Sequence, residues 1–299
     1  ALESLNVKNK EVIVPTQTFV ATANSIIRAG GKPVFCDIDK NTGCIDLDSI
    51  KKKISSKTAG IIFVYMFGIV PKSILEIKKF CKKKKFFLLE DASHAHGASI
   101  KNYKIGSIGD LATFSFYSTK ILTCGEGGVI TTNNKRLYQK CKIIENHGKD
   151  LKKNLFVYPG NNYRLSEIHC LLAYNQLKYL DFFIRHRNKI AKIYFENLKD
   201  SELLELFKLH PQSLNSFWRY PIYIKKGNRR KLQNIFFKKY KIRITWMYEP
   251  LCHQQPVFKF LAGSKLPQAE QSIKKLINLP THYGVTAADA KRISKYLKK

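Results

Sequence analysis

Apolar positions in the first half of the chain fall into short blocks separated by longer amphipathic stretches. Runs at 11–14, 33–37, 60–65, 86–90, 111–116 and 127–131 are rich in β-branched and aromatic residues and predict strands. Between them, stretches near 20–29, 46–54, 71–83 and 134–146 repeat their apolar residues at helical spacing. The run Phe86-Phe87-Leu88-Leu89 is apolar at every position, as expected of a strand buried on both faces of a parallel sheet. Strands and helices alternating in this way predict an α/β fold, with a mainly parallel sheet sandwiched by helices.

From Leu165 the period lengthens. Leu165, Ile168, Leu171, Leu172, Leu177, Leu180, Phe183, Ile184, Ile190, Ile193, Tyr194 and Leu198 trace a long helical region with a kink expected near Asp181. This region is expected to join a large domain, 1–185, to a smaller C-terminal α/β domain, 186–299. The second domain would hold strand 219–224, helix 228–240, a short strand near 242–246, helix 268–276 and a last helix opening at Thr286. There Asp289 supplies the acidic half of a capping box. Gly148, Pro159 and Gly160 mark 148–162 as the main loop.

A chain of 299 residues that is 44% hydrophobic can bury a sizeable core and exceeds a usual single domain. It has neither an apolar run of spanning length nor a signal-peptide pattern, so a cytoplasmic location is expected. Its seven cysteines, at 36, 44, 81, 124, 141, 170 and 252, are scattered and form no Cys-x-x-Cys pair. That usage predicts reduced thiols rather than disulfides or zinc. A formal charge of +31 raises nucleic-acid binding as a rival class. Against it, the runs 51–53 and 82–85 end amphipathic helices, where lysines suit the helix dipole and face water. Lysine also far outnumbers arginine, the residue that base readout favours. A lysine-biased surface explains the charge better, and its field would help to capture an anionic substrate.

The candidate chemistry lies between Glu90 and Gly128. Asp91 falls at the carboxyl end of strand 86–90, the rim where open α/β sheets place ligands. Strand 111–116 delivers Ser115 and Lys120 to the same rim, ahead of the turn Gly125-Glu126-Gly127-Gly128. A carboxylate there can pair with a protonated ring nitrogen. A lysine in a cationic, partly desolvated site loses its proton more readily and can attack an aldehyde. Blander readings exist for each residue. Asp91 could cap the following turn. His94 and His96 could be a metal pair, but no third ligand lies at zinc-like spacing, and no metal is expected. Phe19 by type alone is a core residue, and Cys124 is a small apolar residue in a tight turn.

These segments, with Val12–Asn24, Lys32–Asp39, Asn146-His147-Gly148, Gly160–Ile168 and Asn278–His282, resemble the DegT/DnrJ/EryC1/StrS sugar aminotransferases. That group comprises pyridoxal-phosphate enzymes of fold type I. The resemblance implies that Lys120 is the Schiff-base lysine and that Asp91 holds the pyridinium nitrogen. It also implies that His94 packs beside the ring, Phe19 stacks on its face and Ser115 binds the phosphate. Asn162 or Arg164 would reach the cofactor phosphate of a neighbouring subunit, which implies a homodimer. His253, in the segment Tyr248–Phe258, and His282 match substrate-side positions.

The implied reaction passes an amino group from glutamate, through the cofactor, to a keto-sugar on a nucleoside diphosphate. An amino sugar for surface polysaccharide would result. Lysine at 120 disfavours the related dehydratases, which carry histidine there. Relatives begin with roughly one further helix and a Gly-Thr turn that cradles the phosphate. The sequence is therefore expected to be a fragment of a longer frame, with a natural deletion as the alternative, and alone to bind cofactor poorly. Two other classes stay open: a catalytically impaired or regulatory cofactor-binding relative, and a basic nucleic-acid-binding protein.

Overall fold

The computed structural model describes residues 1–261 and 265–298. Its large sheet is built on four parallel strands: β1 (Glu11–Pro15), β2 (Lys32–Cys36), β3 (Thr58–Val64) and β4 (Phe87–Asp91). The spatial order is β2-β1-β3-β4, continued by Leu111–Ser115, parallel to β4, and by Gly128–Thr131, antiparallel at the edge. The apolar runs have a simple origin. Side chains alternate across a strand, and here both faces are covered. Ile13, Ile61, Phe63 and Leu88 pack on one side with Ile50, Ile74 and Ile77. Val12, Val14, Ile62, Val64 and Leu89 pack on the other with Ala23 and Ile26. The helices supplying these partners are α1 (Val20–Arg28), α2 (Leu47–Lys52) and α3 (Ser73–Lys84). Lysines fill the last turns of α2 and α3, as the dipole favours.

After α4 (Lys135–Glu145) the chain forms α5 (Glu167–Leu177) and α6 (Leu180–Leu198). The expected kink falls between these helices, just before Asp181. A second, antiparallel sheet places Tyr220–Ile224 between Leu204–Leu206 and Leu276–Leu279. Its core joins Ile222, Ile224, Ile277 and Leu279 to Tyr194 and Leu198 of α6 and to Ile293 and Leu297 of the last helix, Ala287–Leu297. The capping box at Thr286 and Asp289 is formed.

Two expectations change in this region. The segment 242–246 is not a strand. Among the described residues its only ladder contact is the isolated bridge Thr245–Asn278, and the Gln233 side-chain amide donates to the Ile244 carbonyl at 2.8 Å. The helix expected over 268–276 runs Pro267–Lys275 instead, and the fully buried strand Leu276–Leu279 follows at once. Among the described residues, no helix is long and apolar enough to cross a membrane.

Candidate active site

Asp91 is the last residue of β4, and its carboxylate is fixed from two sides. Its Oδ2 accepts from the Thr22 hydroxyl on α1 at 2.8 Å, and Thr22 is itself linked to Thr18 at 2.8 Å. Its Oδ1 accepts from the Ser93 amide at 3.1 Å, so the turn-capping role is real as well. Glu90 anchors the strand end from behind. Buried completely, it accepts from Tyr65 Oη at 2.5 Å and from the amides of Gly106, Ile108 and Gly109 at 3.1, 2.8 and 2.7 Å.

Lys120 closes a turn after Leu111–Ser115, its amide donating to the Tyr117 carbonyl at 2.9 Å. Its Nζ lies 4.9 Å from the centre of the Trp218 indole, and the Arg219 guanidinium lies 4.8 Å from the same ring. His94 stacks on that indole at 3.8 Å, with the planes 12° apart. Trp218 Nε1 donates to the Thr119 carbonyl at 2.7 Å, which ties the start of the second sheet to the turn carrying the lysine. Ser216 strengthens the junction by donating its hydroxyl to the His94 carbonyl at 2.7 Å and its amide to the Gly68 carbonyl at 3.0 Å. Gly68 has φ +79°, and a Cβ there would meet the His94 carbonyl oxygen at 2.5 Å, so the close approach requires glycine.

The electrostatics follow from this packing. Burial, reinforced by Arg219 and opposed by the Asp91 carboxylate, brings the Lys120 amine down to about 8. Lys120 and Asp91 thus feel one another across the site. Burial, then Asp91, pushes the Tyr248 phenol up. Burial and the Lys120 charge hold His94 well below the usual imidazole range, so it is neutral. His96 is brought to about 4 by the same causes. It sits between Phe114 and Phe116, at 5.4 Å from each ring.

The remaining expected residues separate into groups. Phe19 precedes α1, is 55% exposed and lies 5.4 Å from the Tyr248 ring. Ser115 ends its strand at the same rim, its hydroxyl accepting from the Tyr117 amide at 3.4 Å. Burial and then Arg219 and Arg187 lower the His282 pKa, which places it on the arginine side of the site. His253 is tied elsewhere. Its Nδ1 meets Thr16 Oγ1 at 2.6 Å and its Nε2 meets Glu270 at 3.1 Å, so both nitrogens are engaged within the protein. Asn162 and Arg164 are exposed, with Arg164 donating to Asn146 at 2.6 Å, and no bond joins them to the Lys120 group.

Sequence reasoning missed Trp218 and Arg219, and it took Tyr248 only as the start of a substrate-side segment. The available signal was one of only two tryptophans, followed by an arginine at the mouth of an apolar strand.

The residues present suit pyridoxal phosphate. An amine prone to lose its proton lies within electrostatic reach of a pinned carboxylate, and Phe19 leaves an aromatic ring exposed ahead of α1. His94 Nδ1, on the ring stacked against the indole that Lys120 approaches, has no hydrogen-bond partner among the described residues. Among the described residues, no group of three or more His, Cys, Asp or Glu side chains gathers to hold a metal.

Residues 1–298 match the DegT/DnrJ/EryC1/StrS aminotransferase family. The chain is 33% identical over 311 residues to the UDP-4-amino-4,6-dideoxy-N-acetyl-beta-L-altrosamine transaminase of Campylobacter jejuni, covering 97% of this chain and 79% of that protein. It is 32% identical over 273 residues to GDP-perosamine synthase of Escherichia coli O157:H7, covering 91% and 73%. The solved PLP form of Spr1654 from Streptococcus pneumoniae superposes with a TM-score of 0.89 at 25% identity, covering 100% of this chain and 83% of that one. The chain therefore belongs to the DegT/DnrJ/EryC1/StrS aminotransferase family and is a pyridoxal-phosphate-dependent enzyme of that class.

Proposed function

We propose that the protein moves an amino group from glutamate to a keto-sugar carried on a nucleoside diphosphate, as a cytoplasmic homodimer. The observation that carries this reading is the meeting of the Lys120 amine and the Asp91 carboxylate at one sheet rim, with the amine brought down to about 8. When bound, pyridoxal phosphate supplies an electron sink for the substrate carbon that loses its proton. Asp91 would hold the ring nitrogen in its protonated form, with Thr22 and Ser93 keeping the carboxylate aimed. Lys120 is the group able to attack the aldehyde and then carry a proton between neighbouring atoms. Neutral His94 would pack beside the ring without adding charge, Phe19 would cover a face, and Ser115 would meet the phosphate.

The nucleotide-sugar assignment follows the two similar enzymes, whose names carry UDP and GDP sugars. The division into domains 1–185 and 186–299 draws support from an apolar cluster formed wholly of residues from Ile190 to Leu297. Seven unpaired cysteines suit a reducing compartment. The dimer draws support from α5, none of whose residues is buried, although Ile168, Leu171, Leu172 and Leu177 lie along it. A partner there would also give Asn162 and Arg164 a target beyond their own subunit, and His253 and His282 are the proposed substrate-side residues.

The test incubates the protein with pyridoxal phosphate, glutamate and a panel of UDP- and GDP-linked keto-sugars. The expected result is 2-oxoglutarate and an amino sugar in equal amounts, lost in Lys120→Ala. Cofactor binding with no amino transfer from glutamate would refute the reading and favour a regulatory relative. Steeply salt-dependent binding of nucleic acid in place of turnover would favour the third class.

A further inference from the structure

Exposed cations on the helices of this protein are commonly answered by a carboxylate one turn away. α2, α3, α4, α6 and the last helix each carry such a pair, within the helix or at its end: Lys51 with Asp48, Lys72 with Glu76, Lys142 with Glu145, Lys199 with Glu196 and Arg292 with Asp289. Helix α7 (Arg229–Tyr240) contains no acidic residue, and no Asp or Glu occurs between Glu205 and Glu249. Glu249 is taken by the buried Arg229. Arg230, Lys231, Lys238 and Lys239 are exposed and, among the described residues, have no carboxylate partner.

Helical spacing gathers these charges. Arg230, Lys231, Asn234 and Lys238 lie on the side turned away from buried Phe236, and with Ile235 and Lys239 they line one shallow groove. Ile235 and Phe237 flank that side and stay 43% and 57% exposed. A lysine-biased surface accounts for many cations, but not for a helix that leaves out every anion and keeps apolar side chains in water. The helix is also set apart from the chemistry. Phe236 packs with Ile222 and Ile277 on one face of the second sheet, and Tyr240 stacks on Tyr296 of the last helix at 3.6 Å. The other face of that sheet, with Tyr223 and Leu276, packs against Met66 and Ile69 beside the large sheet.

We propose that the outer face of α7 docks on the anionic phospholipid headgroups of a bilayer, with Ile235 and Phe237 entering the headgroup layer. Charge complementarity carries the choice of partner, since each cation held at an anionic leaflet strengthens binding by roughly fivefold. The apolar flanks decide between phosphate-rich surfaces. A duplex backbone offers the charge with no apolar layer beneath it, whereas a bilayer takes both. Lysines, point charges on flexible stems, suit a plane of mobile headgroups better than the fixed edges of bases. Docking of this kind is independent of which amino donor or sugar the Lys120 site takes.

The test sediments the chain, supplied with pyridoxal phosphate, with vesicles of phosphatidylcholine alone or mixed with phosphatidylglycerol. Binding is expected to the mixed vesicles only and should fall as salt is raised. Replacing Arg230, Lys231, Lys238 and Lys239 together by Gln should weaken it by about tenfold or more. Replacing Lys52, Lys82, Lys83 and Lys84 by Gln removes the same charge from elsewhere and should weaken it by less than about threefold. Ile235→Gln with Phe237→Gln should cost about fivefold and leave the salt dependence unchanged. Circular-dichroism melts check folding; should the fourfold α7 variant melt early, Lys238→Glu, which reverses one exposed charge, should still weaken binding by about tenfold. Equal losses in the two fourfold variants, or no binding to the mixed vesicles, would overturn the proposal. So would duplex DNA bound more tightly than the vesicles at the same salt and lost in the α7 variant, which would make this face a nucleic-acid site.

Discussion

The charge state of Lys120 can be tested without any turnover. Burial brings its amine from 10.5 to about 8, and two neighbours pull on that value in opposite directions: Arg219 lowers it further and Asp91 raises it. At neutral pH an amine near 8 is about one-tenth unprotonated, whereas one at 10.5 is unprotonated about once in three thousand molecules. The packing around Trp218 therefore enriches the nucleophilic form by roughly 300-fold. Competitive acylation of the cofactor-free chain over a range of pH, read by mass spectrometry on the peptide carrying Lys120, reports that ionisation directly. Surface lysines serve as internal standards.

The wild-type inflection is expected near 8. Asp91→Asn removes an anion that favours the charged amine, so the inflection should move down. Arg219→Met removes a cation that disfavours it, so the inflection should move up. Neither change should restore 10.5, because burial is the largest cause and persists in both. An inflection coincident with the surface lysines, or an upward move in Asp91→Asn, would refute this account of how the site activates its lysine.

Two further perturbations probe the scaffold. Glu90→Gln keeps the shape but turns an amide donor toward groups that donate to the present carboxylate, so it should cost about 2–4 kcal/mol in urea unfolding; a loss below about 0.5 kcal/mol would show that the four bonds to Glu90 do not carry the strand end. His96 rejects a proton when folded, because its pKa falls to about 4 from 6.5. Between those values the unfolded chain binds more protons, so stability contributed by neutral His96 is lost as pH falls from 6.5 toward 4. His96→Leu should remove that slope and stabilise the protein at pH 5 by on the order of 2 kcal/mol, read as a smaller gap between urea midpoints at pH 5 and pH 7; an unchanged gap would count against it.

The central strands were legible because both faces of the sheet are covered. β1, β3 and β4 had to place apolar residues at odd and even positions alike, and such blocks stand out in a sequence. Asp91 and Lys120 were legible for a related reason, since each follows such a block and lands on one rim. Trp218 and Arg219 carry no comparable local mark. They reach the site by packing 99 positions along the chain from Thr119, and only the assembled fold brings the indole to His94 and Lys120. The segment 242–246 has the composition of a strand, yet Ile242 and Ile244 use it to fill the core while a side chain claims the Ile244 carbonyl. Composition reports burial there, not ladder pairing. In α5 the sequence revealed an apolar helix but not what covers it.

The activation of Lys120 is therefore not a property of the large sheet alone. Trp218 belongs to the entry of the second sheet, and the bonds that seat that entry on the first include indole to Thr119, Ser216 hydroxyl to His94 and Ser216 amide to Gly68. Desolvation of the amine depends on the indole staying in place, and so does the position of the Arg219 cation beside it. The two sheets need to dock for the amine to reach its lowered pKa, so any loosening at Gly68 or Ser216 should raise the Lys120 inflection before it alters the strands that carry Asp91. That ordering separates a junction that sets the chemistry from one that merely holds two cores together.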